Sequence, residues 1–289
     1  MLRARFASAA LLVVAAMVLV ACGSSSSSST TSASTTVSLA DCTKDALKTK
    51  TAGTLTVATD KPAYPPYFVD DKPANGQGFE SAVAYAIADK LGFAKGDVKW
   101  VVEPFNSSYA PGPKNFDFDV NQISITPARA KRVDFSSPYY EAPQAVVALK
   151  TSDAAKATSL SDLKDTQLGV QIGTTSLDAV NDIIKPTKQA KVFNDSNDVV
   201  AALKGKQVDA VVVDLPTAFY LTAAQVEDAK IVGQFPVPGG DRWGALLAKG
   251  SPLTACVSKA VDSLRSSGEL KTLEQKWMGS AAGAPELKQ

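Results

Sequence analysis

From Thr54 to Asp214 this 289-residue chain alternates two kinds of segment, and the alternation narrows the fold more than any composition figure does. Short apolar or β-branched runs read as strands: TLTVATD (Thr54–Asp60), VKWVVEPF (Val98–Phe105), FDFDVNQISI (Phe116–Ile125), TQLGVQIGTT (Thr166–Thr175), AKVFND and VDAVVVD (Val208–Asp214). Between them lie helical segments. FESAVAYAIADKLGF sets Phe79, Val83, Ala86, Ile87 and Leu91 at helical spacing and closes on Gly92. SLDAVNDII (Ser176–Ile184) and SNDVVAALKGKQ (Ser196–Gln207) follow, the second with Ser196 as its expected cap. Strand–helix–strand order implies parallel pairing with helices on the sheet faces. Ligands of such sheets sit beyond the carboxyl ends of the strands. The candidates are therefore Asp60, Tyr64, Phe105, Asn121 to Thr126, Gly173 to Thr175, and Asp214. A final amphipathic stretch is broken at Gly268, and its Trp277 reads as packing.

The N-terminus has a separate logic. A basic start (Arg3, Arg5) leads into an apolar run from Leu11 to Ala21, a signal-peptide pattern too short for a comfortable membrane span. It ends in Leu19-Val20-Ala21-Cys22, which resembles the bacterial lipobox and implies cleavage before Cys22 and acylation of its thiol. The tract SSSSSSTTSASTT (Ser24–Thr36) suits a polar tether. Loss of Arg3 and Arg5 takes the formal charge from +1 to −1, so nucleic acid is not an expected partner. The chain has no histidine, which excludes His as base, triad member or metal ligand. No metal or cofactor is expected. With Cys22 lipidated, Cys42 and Cys256 remain as a pair in an oxidising compartment, read as a disulfide rather than as two buried thiols. Closing so long a loop contributes on the order of 5 kcal/mol in the chain-entropy picture.

The chemistry concentrates in NQISITPARAKRVDFSSPYY (Asn121–Tyr140). Arg129 carries a planar fork of donors that matches a carboxylate, and Ser124 and Thr126 stand close by. Gly173-Thr174-Thr175 opens a helix, whose N-terminus also favours an anion. Asp214, ending an apolar strand, is the opposite pole, with Asp60 a second acid. Tyr64 and Phe105 offer flat faces to a cation or an aliphatic stem. Together these groups describe a receptor for a zwitterion: carboxylate to Arg129, ammonium to Asp214. Each piece has a plainer reading. PARAKR could be a solvated basic turn, Asp214 and Asp134 could be helix caps, Tyr64 a packed loop aromatic, and Gly173-Thr174-Thr175 a simple turn and cap.

The segments ATD…YPPY, GFE…AIADKLG, SITPARAKRVDFSSPYY, GVQIGTT, ALKGKQVDAVVVD and GELKTLEQKWMG occur in an order that resembles the polar amino-acid solute-binding proteins of ABC importers (bacterial extracellular solute-binding proteins, family 3). The resemblance spans Thr54 to Gly279 and implies an α/β, periplasmic-binding-protein-like clamshell: two lobes, each a mixed, mostly parallel sheet flanked by helices, joined by two hinge strands. Its expected division is residues 1–21 signal peptide, 22–50 lipidated Cys and arm, 51–143 first lobe, 144–238 second lobe and 239–289 first lobe again. Crossings are expected near Pro143–Val146 and Pro236–Gly244. By resemblance Arg129 binds carboxylate and Asp214 ammonium, Tyr64 and Phe105 form aromatic walls, Ser124 is a carboxylate-side hydroxyl, and Thr174–Thr175 is the second-lobe helix start. Asn121 and Gln122 stand where many members carry small residues, Gln171 where some carry a side-chain reader, and NSSYAPGPKNFDFD replaces a more usual helix. The resemblance implies a non-enzymatic, monomeric receptor, anchored outside the cytoplasm at the cell membrane, that presents a polar amino acid to an ABC importer permease. A lyase of the cyclohexadienyl dehydratase type, with Glu103 and Glu141 as acid–base candidates, and an amino-acid sensor module are the alternatives.

Overall fold

The computed structural model of the protein describes residues 37–279 and 283–288; the expected signal peptide and Cys22 lie outside the described residues. Among the described residues ten strands run in chain order: β1 (Leu55–Thr59), β2 (Val98–Val102), β3 (Phe118–Asp119), β4 (Val133–Glu141), β5 (Gln144–Leu149), β6 (Leu168–Gln171), β7 (Lys191–Phe193), β8 (Ala210–Asp214), β9 (Ala229–Phe235) and β10 (Arg242–Ala248). They form two five-stranded sheets, ordered β2-β1-β3-β10-β4 and β7-β6-β8-β5-β9. In each sheet the βαβ strands pair in parallel and the strands bordering the crossings pair antiparallel. This is a two-lobed α/β clamshell.

The helices follow the apolar periodicity. In chain order they are α1 (Phe79–Lys90), α2 (Phe105–Ser108), α3 (Pro127–Ala130), α4 (Thr175–Ala179), α5 (Ser196–Lys204), α6 (Leu215–Tyr220), α7 (Thr254–Ser266) and α8 (Glu269–Met278). α1 buries Phe79, Val83, Ile87 and Ala88 beside Leu55, Val57 and Phe118 of the first sheet. α4 and α6 each run on into a wider π-type turn, Val180–Ile184 and Leu221–Gln225. The second sheet is covered on both faces, by Leu163, Val180 and Ile184 on one and by Val199, Leu203 and Leu221 on the other. Trp277 is half-buried against the first-lobe core.

The chain leaves the first sheet after Glu141 and enters the second at Gln144; it returns between Phe235 and Arg242. Ala142 N–H donates to the Asp241 carbonyl at 2.8 Å, so the two crossings are bonded to each other. Cys42 and Cys256 are disulfide-bonded, with Cα atoms 5.5 Å apart, which fastens the N-terminal arm to α7.

Four expectations are corrected. The strand expected over Phe116–Ile125 shrinks to β3, because Gln122 takes a left-handed backbone (φ 48°) that no pleated strand accommodates. Phe105 does not end a strand but opens α2, where its N–H donates to Asp60 Oδ2 at 3.1 Å. The cap of α5 is Asp195, one residue ahead of Ser196; its carboxylate accepts from Asp198 N at 3.0 Å. The assignment of 239–289 to the first lobe fails at its end. Residues 283–288 lie along β9, an edge strand of the second sheet, with Gln234 N donating to Pro285 O (2.8 Å) and Leu287 N to Gln234 O (2.9 Å). Leu287 is buried with Val146, Val232 and Phe235, so the tail covers a sheet edge that would otherwise present unpaired backbone.

Candidate ligand site between the lobes

A cavity of about 390 Å³ lies between the lobes, lined by Asp60, Tyr64, Phe105, Asn121, Gln122, Ser124, Arg129, Gln171, Thr174, Thr175 and Asp214; Ile123, Ile125, Thr126 and Gly173, also among the strand-end candidates, do not line it. Strand ends bring the lining residues there. Asp60 follows β1, Ser124 follows β3, Arg129 lies in α3, Gln171 ends β6, Thr175 starts α4 and Asp214 ends β8.

Arg129 is not a solvated turn residue: only 7% of it is exposed, whereas Lys131 and Arg132 beside it are exposed. Thr126 caps α3 through its hydroxyl, which accepts from Arg129 N at 3.2 Å and fixes the backbone. The guanidinium donates through Nη1 to Ser124 O (2.8 Å) and through Nη2 to Gly173 O (2.9 Å) of the opposite lobe. Its Cζ lies 4.6 Å from the centre of the Tyr109 ring and 5.4 Å from that of Phe105. Burial lowers its pKa below the ordinary arginine value, and Tyr109 and the carboxylates Asp241, Asp178 and Asp214 oppose that shift.

Asp214 precedes α6, yet its side chain caps nothing. Its Oδ1 instead accepts from Gln144 Nε2 at 2.5 Å. Burial and the neighbouring Asp241 push its pKa well above the usual carboxylate range, and the Gln144 bond and Arg129 pull the other way. A carboxylate in this setting calls for a cation. Guanidinium and carboxylate thus face one cavity, which the half-buried rings of Tyr64 and Phe105 also line.

The chain matches bacterial extracellular solute-binding proteins, family 3, over residues 55–280. It belongs to that family. The L-cystine-binding protein TcyJ of Escherichia coli K12 is 27% identical over 239 residues, covering 81% of this chain and 85% of that protein. The arginine-binding extracellular protein ArtP of Bacillus subtilis is 30% identical, covering 69% and 77% respectively. Among solved structures, an ancestral arginine-binding protein bound to glutamine superposes with a TM-score of 0.66 at 34% identity, covering 79% of this chain and 99% of that one.

Within this family-3 clamshell, several contacts cross the cleft. Tyr64 Oη donates to Asn197 Oδ1, Tyr67 Oη and Thr217 Oγ1 are 2.8 Å apart, and Ser124 Oγ and Thr175 Oγ1 are 3.2 Å apart. Gly173 takes φ 73°, and a Cβ there would collide with Tyr109 Oη and lie 2.8 Å from Asn106 Oδ1. Thr174 is a working cap, its hydroxyl accepting from Leu177 N at 3.2 Å. Gln171 is held by Ser196, whose hydroxyl donates to Oε1 at 2.7 Å.

Sequence reasoning missed the second layer. Glu80, at the start of α1 and fully buried, accepts Gln122 N at 2.7 Å and also bonds Gln122 Nε2 and the Tyr139 hydroxyl. One hydrogen of the Gln122 amide nitrogen is therefore held by Glu80. Burial raises the Glu80 pKa to about 7 against those three hydrogen bonds. Asn121 Nδ2 is buried without a hydrogen-bond partner among the described residues. Gln144 and Asp241, on the two crossings, had no motif to mark them. Glu103 and Glu141, the acid–base candidates of the lyase alternative, do not line the cavity. Asp134 is structural: it accepts from Gly250 N (2.9 Å) and pairs with Lys249 (3.0 Å).

Proposed function

We propose that this protein is an extracytoplasmic receptor that closes on an amino acid and delivers it to an ABC importer. The observation that carries the reading is the pair Arg129, buried, and Asp214, half-buried, both lining one cavity and neither used as a helix cap. The ligand carboxylate meets the free edge of the Arg129 guanidinium and the start of α4. Its ammonium meets Asp214, and its side chain lies between Tyr64 and Phe105. Ligand contacts with both lobes favour the closed arrangement, so binding energy becomes closure. The names of the relatives, cystine- and arginine-binding proteins, support an amino acid as ligand. Cys22, acylated, holds the receptor at the outer face of the cell membrane by way of the Ser/Thr tract. It works as a monomer without enzymatic turnover.

A thermal-shift screen of the chain from Gly23 onward against the common amino acids and cystine tests the receptor reading. Ligand at a hundred times its Kd contributes about 2.7 kcal/mol, roughly 5–10 °C for a protein of this size. Silence across the panel, in folded and ligand-free protein, contradicts it. Retention of a Cys22→Ser variant in the membrane fraction would remove the anchor.

A further inference from the structure

Behind the cavity lies a residue that no motif marks. Asp241 sits on the return crossing and is 3% exposed. Its Oδ2 accepts from Thr175 Oγ1 at 2.6 Å and from Gln144 Nε2 at 3.0 Å. Thr175 in turn meets Ser124, and the same Gln144 nitrogen holds Asp214 Oδ1 at 2.5 Å. Gln144 is itself fixed, Ser176 Oγ donating to its Oε1 at 2.6 Å. Asp241 thus ties the carboxylate end and the ammonium end of the site together from the rear. The two acceptor oxygens of Asp214 and Asp241 share one nitrogen, so they are at most 5.5 Å apart, the sum of those two bonds. Asp241 Oδ1 is buried with no partner among the described residues.

Two carboxylates this close, Asp241 buried and Asp214 half-buried at the cavity wall, leave an uncompensated negative charge when the lobes meet. Among the described residues Arg129 is the cation that acts on Asp214, and two of its donors go to the carbonyls of Ser124 and Gly173; Lys61, which also lines the cavity, is exposed. The other titratable groups that face the pair are acids and phenols: Glu80 and Asp178, with Tyr67 and Tyr140 from the first lobe. Arg242, next in sequence to Asp241, is exposed.

We propose that Asp241 is a positioning residue for capture: with Asp214 it makes a site that takes up one positive charge on closure, the ligand ammonium when present and a proton when the cleft is empty. Closing empty is then disfavoured at neutral pH, which keeps the receptor open until an amino acid arrives. The ammonium specificity rests on the receptor reading above; the pH dependence of the empty protein does not. The sign follows from linkage. The closed empty state binds one more proton than the open one, so lowering pH favours closure, by up to about tenfold in the closed-to-open ratio per pH unit. Burial of Asp214 in the closed form raises its pKa, which agrees with that direction.

The test is small-angle scattering of the ligand-free chain from Gly23 onward, which contains every described element, at pH 5 and pH 8. The wild type is expected to be more compact at pH 5. Asp241→Asn removes one charge and is expected to be equally compact at both. Asp214→Asn, expected to behave alike, replaces it if that variant fails to fold. Equal compactness of the wild type at both pH values overturns the proposal, as does a pH response that survives in the Asn variants. Loss of the response in Glu80→Gln alone would assign the proton to Glu80 and also overturn it. Failure of every amino acid to bind, with the pH response intact, would sink the receptor reading and leave the acid pair standing.

Discussion

Arg129 Nη2 donates to the Gly173 carbonyl at 2.9 Å, so the side chain proposed to hold the ligand carboxylate also bonds one lobe to the other. A carboxylate that orients the guanidinium at the same time orients this cross-cleft bond. Arg129→Ala is expected to weaken binding by about 100-fold or more, since charge-assisted hydrogen bonds contribute about 1.5–3 kcal/mol each. Arg129→Lys keeps the charge but loses the fork and the stacking on Tyr109, and is expected to lose at least about tenfold. Calorimetry checks both, and wild-type affinity in Arg129→Ala removes the carboxylate clamp from the account.

Gly173 is the other half of that contact. Its φ of 73° strains any side chain, and Tyr109 Oη and Asn106 Oδ1 would have to move aside for a Cβ in the closed form. Gly173→Ala is expected to impair closure more than folding: affinity falls by about 100-fold, or about 2.8 kcal/mol, while stability drops by about 1 kcal/mol from the left-handed backbone. An equal loss in ligand-free stability and in affinity would place the effect in the fold.

Glu80 predicts a pH dependence of stability. Its pKa rises to about 7 in the folded protein, so between the ordinary carboxylate value and about 7 the native state holds a proton that the unfolded chain has released. The native state therefore loses stability from this group as pH rises through that window, by up to about 3 kcal/mol. Glu80→Gln keeps the hydrogen-bonding shape without the charge. Its melting temperature relative to wild type is expected to climb from pH 5 to pH 8, and a constant difference would argue against a buried titrating Glu80.

The Cys42–Cys256 bond closes a loop with a sequence separation of 214 residues. Its reduction, or the double Ser variant, is expected to cost about 2–5 kcal/mol, roughly 5–15 °C in Tm. No residue of the arm that it fastens lines the cavity, so amino-acid affinity at 25 °C is expected to stay within about threefold. A large affinity change would mean that the arm governs lobe geometry.

What the sequence revealed and what it hid follow from the same physics. Strand–helix alternation fixes the sheets, and sheets of this kind bring their strand ends together, which is why Asp60, Arg129, Gln171, Thr175 and Asp214 converge on one cavity. A charge at a strand end is visible in one dimension. Gln144 and Asp241 were invisible because they are 97 residues apart and meet only where the two crossings pair. Glu80 was hidden for a related reason: it lies on the buried face of α1, where its partner Gln122 adopts a backbone that strand periodicity does not foresee. The tail pairing at Gln234 escaped notice because one parallel bridge leaves no periodic pattern.

The central claim is that both ends of a zwitterion are gripped at once, Arg129 on the carboxylate and Asp214 on the ammonium. Calorimetry with the amino acid that stabilises the protein most, beside its N-acetyl and its carboxamide derivatives, tests it most directly. Each derivative, having lost one pole, is expected to bind at least about 100-fold more weakly than the parent. Binding of either blocked derivative within threefold of the parent would contradict it.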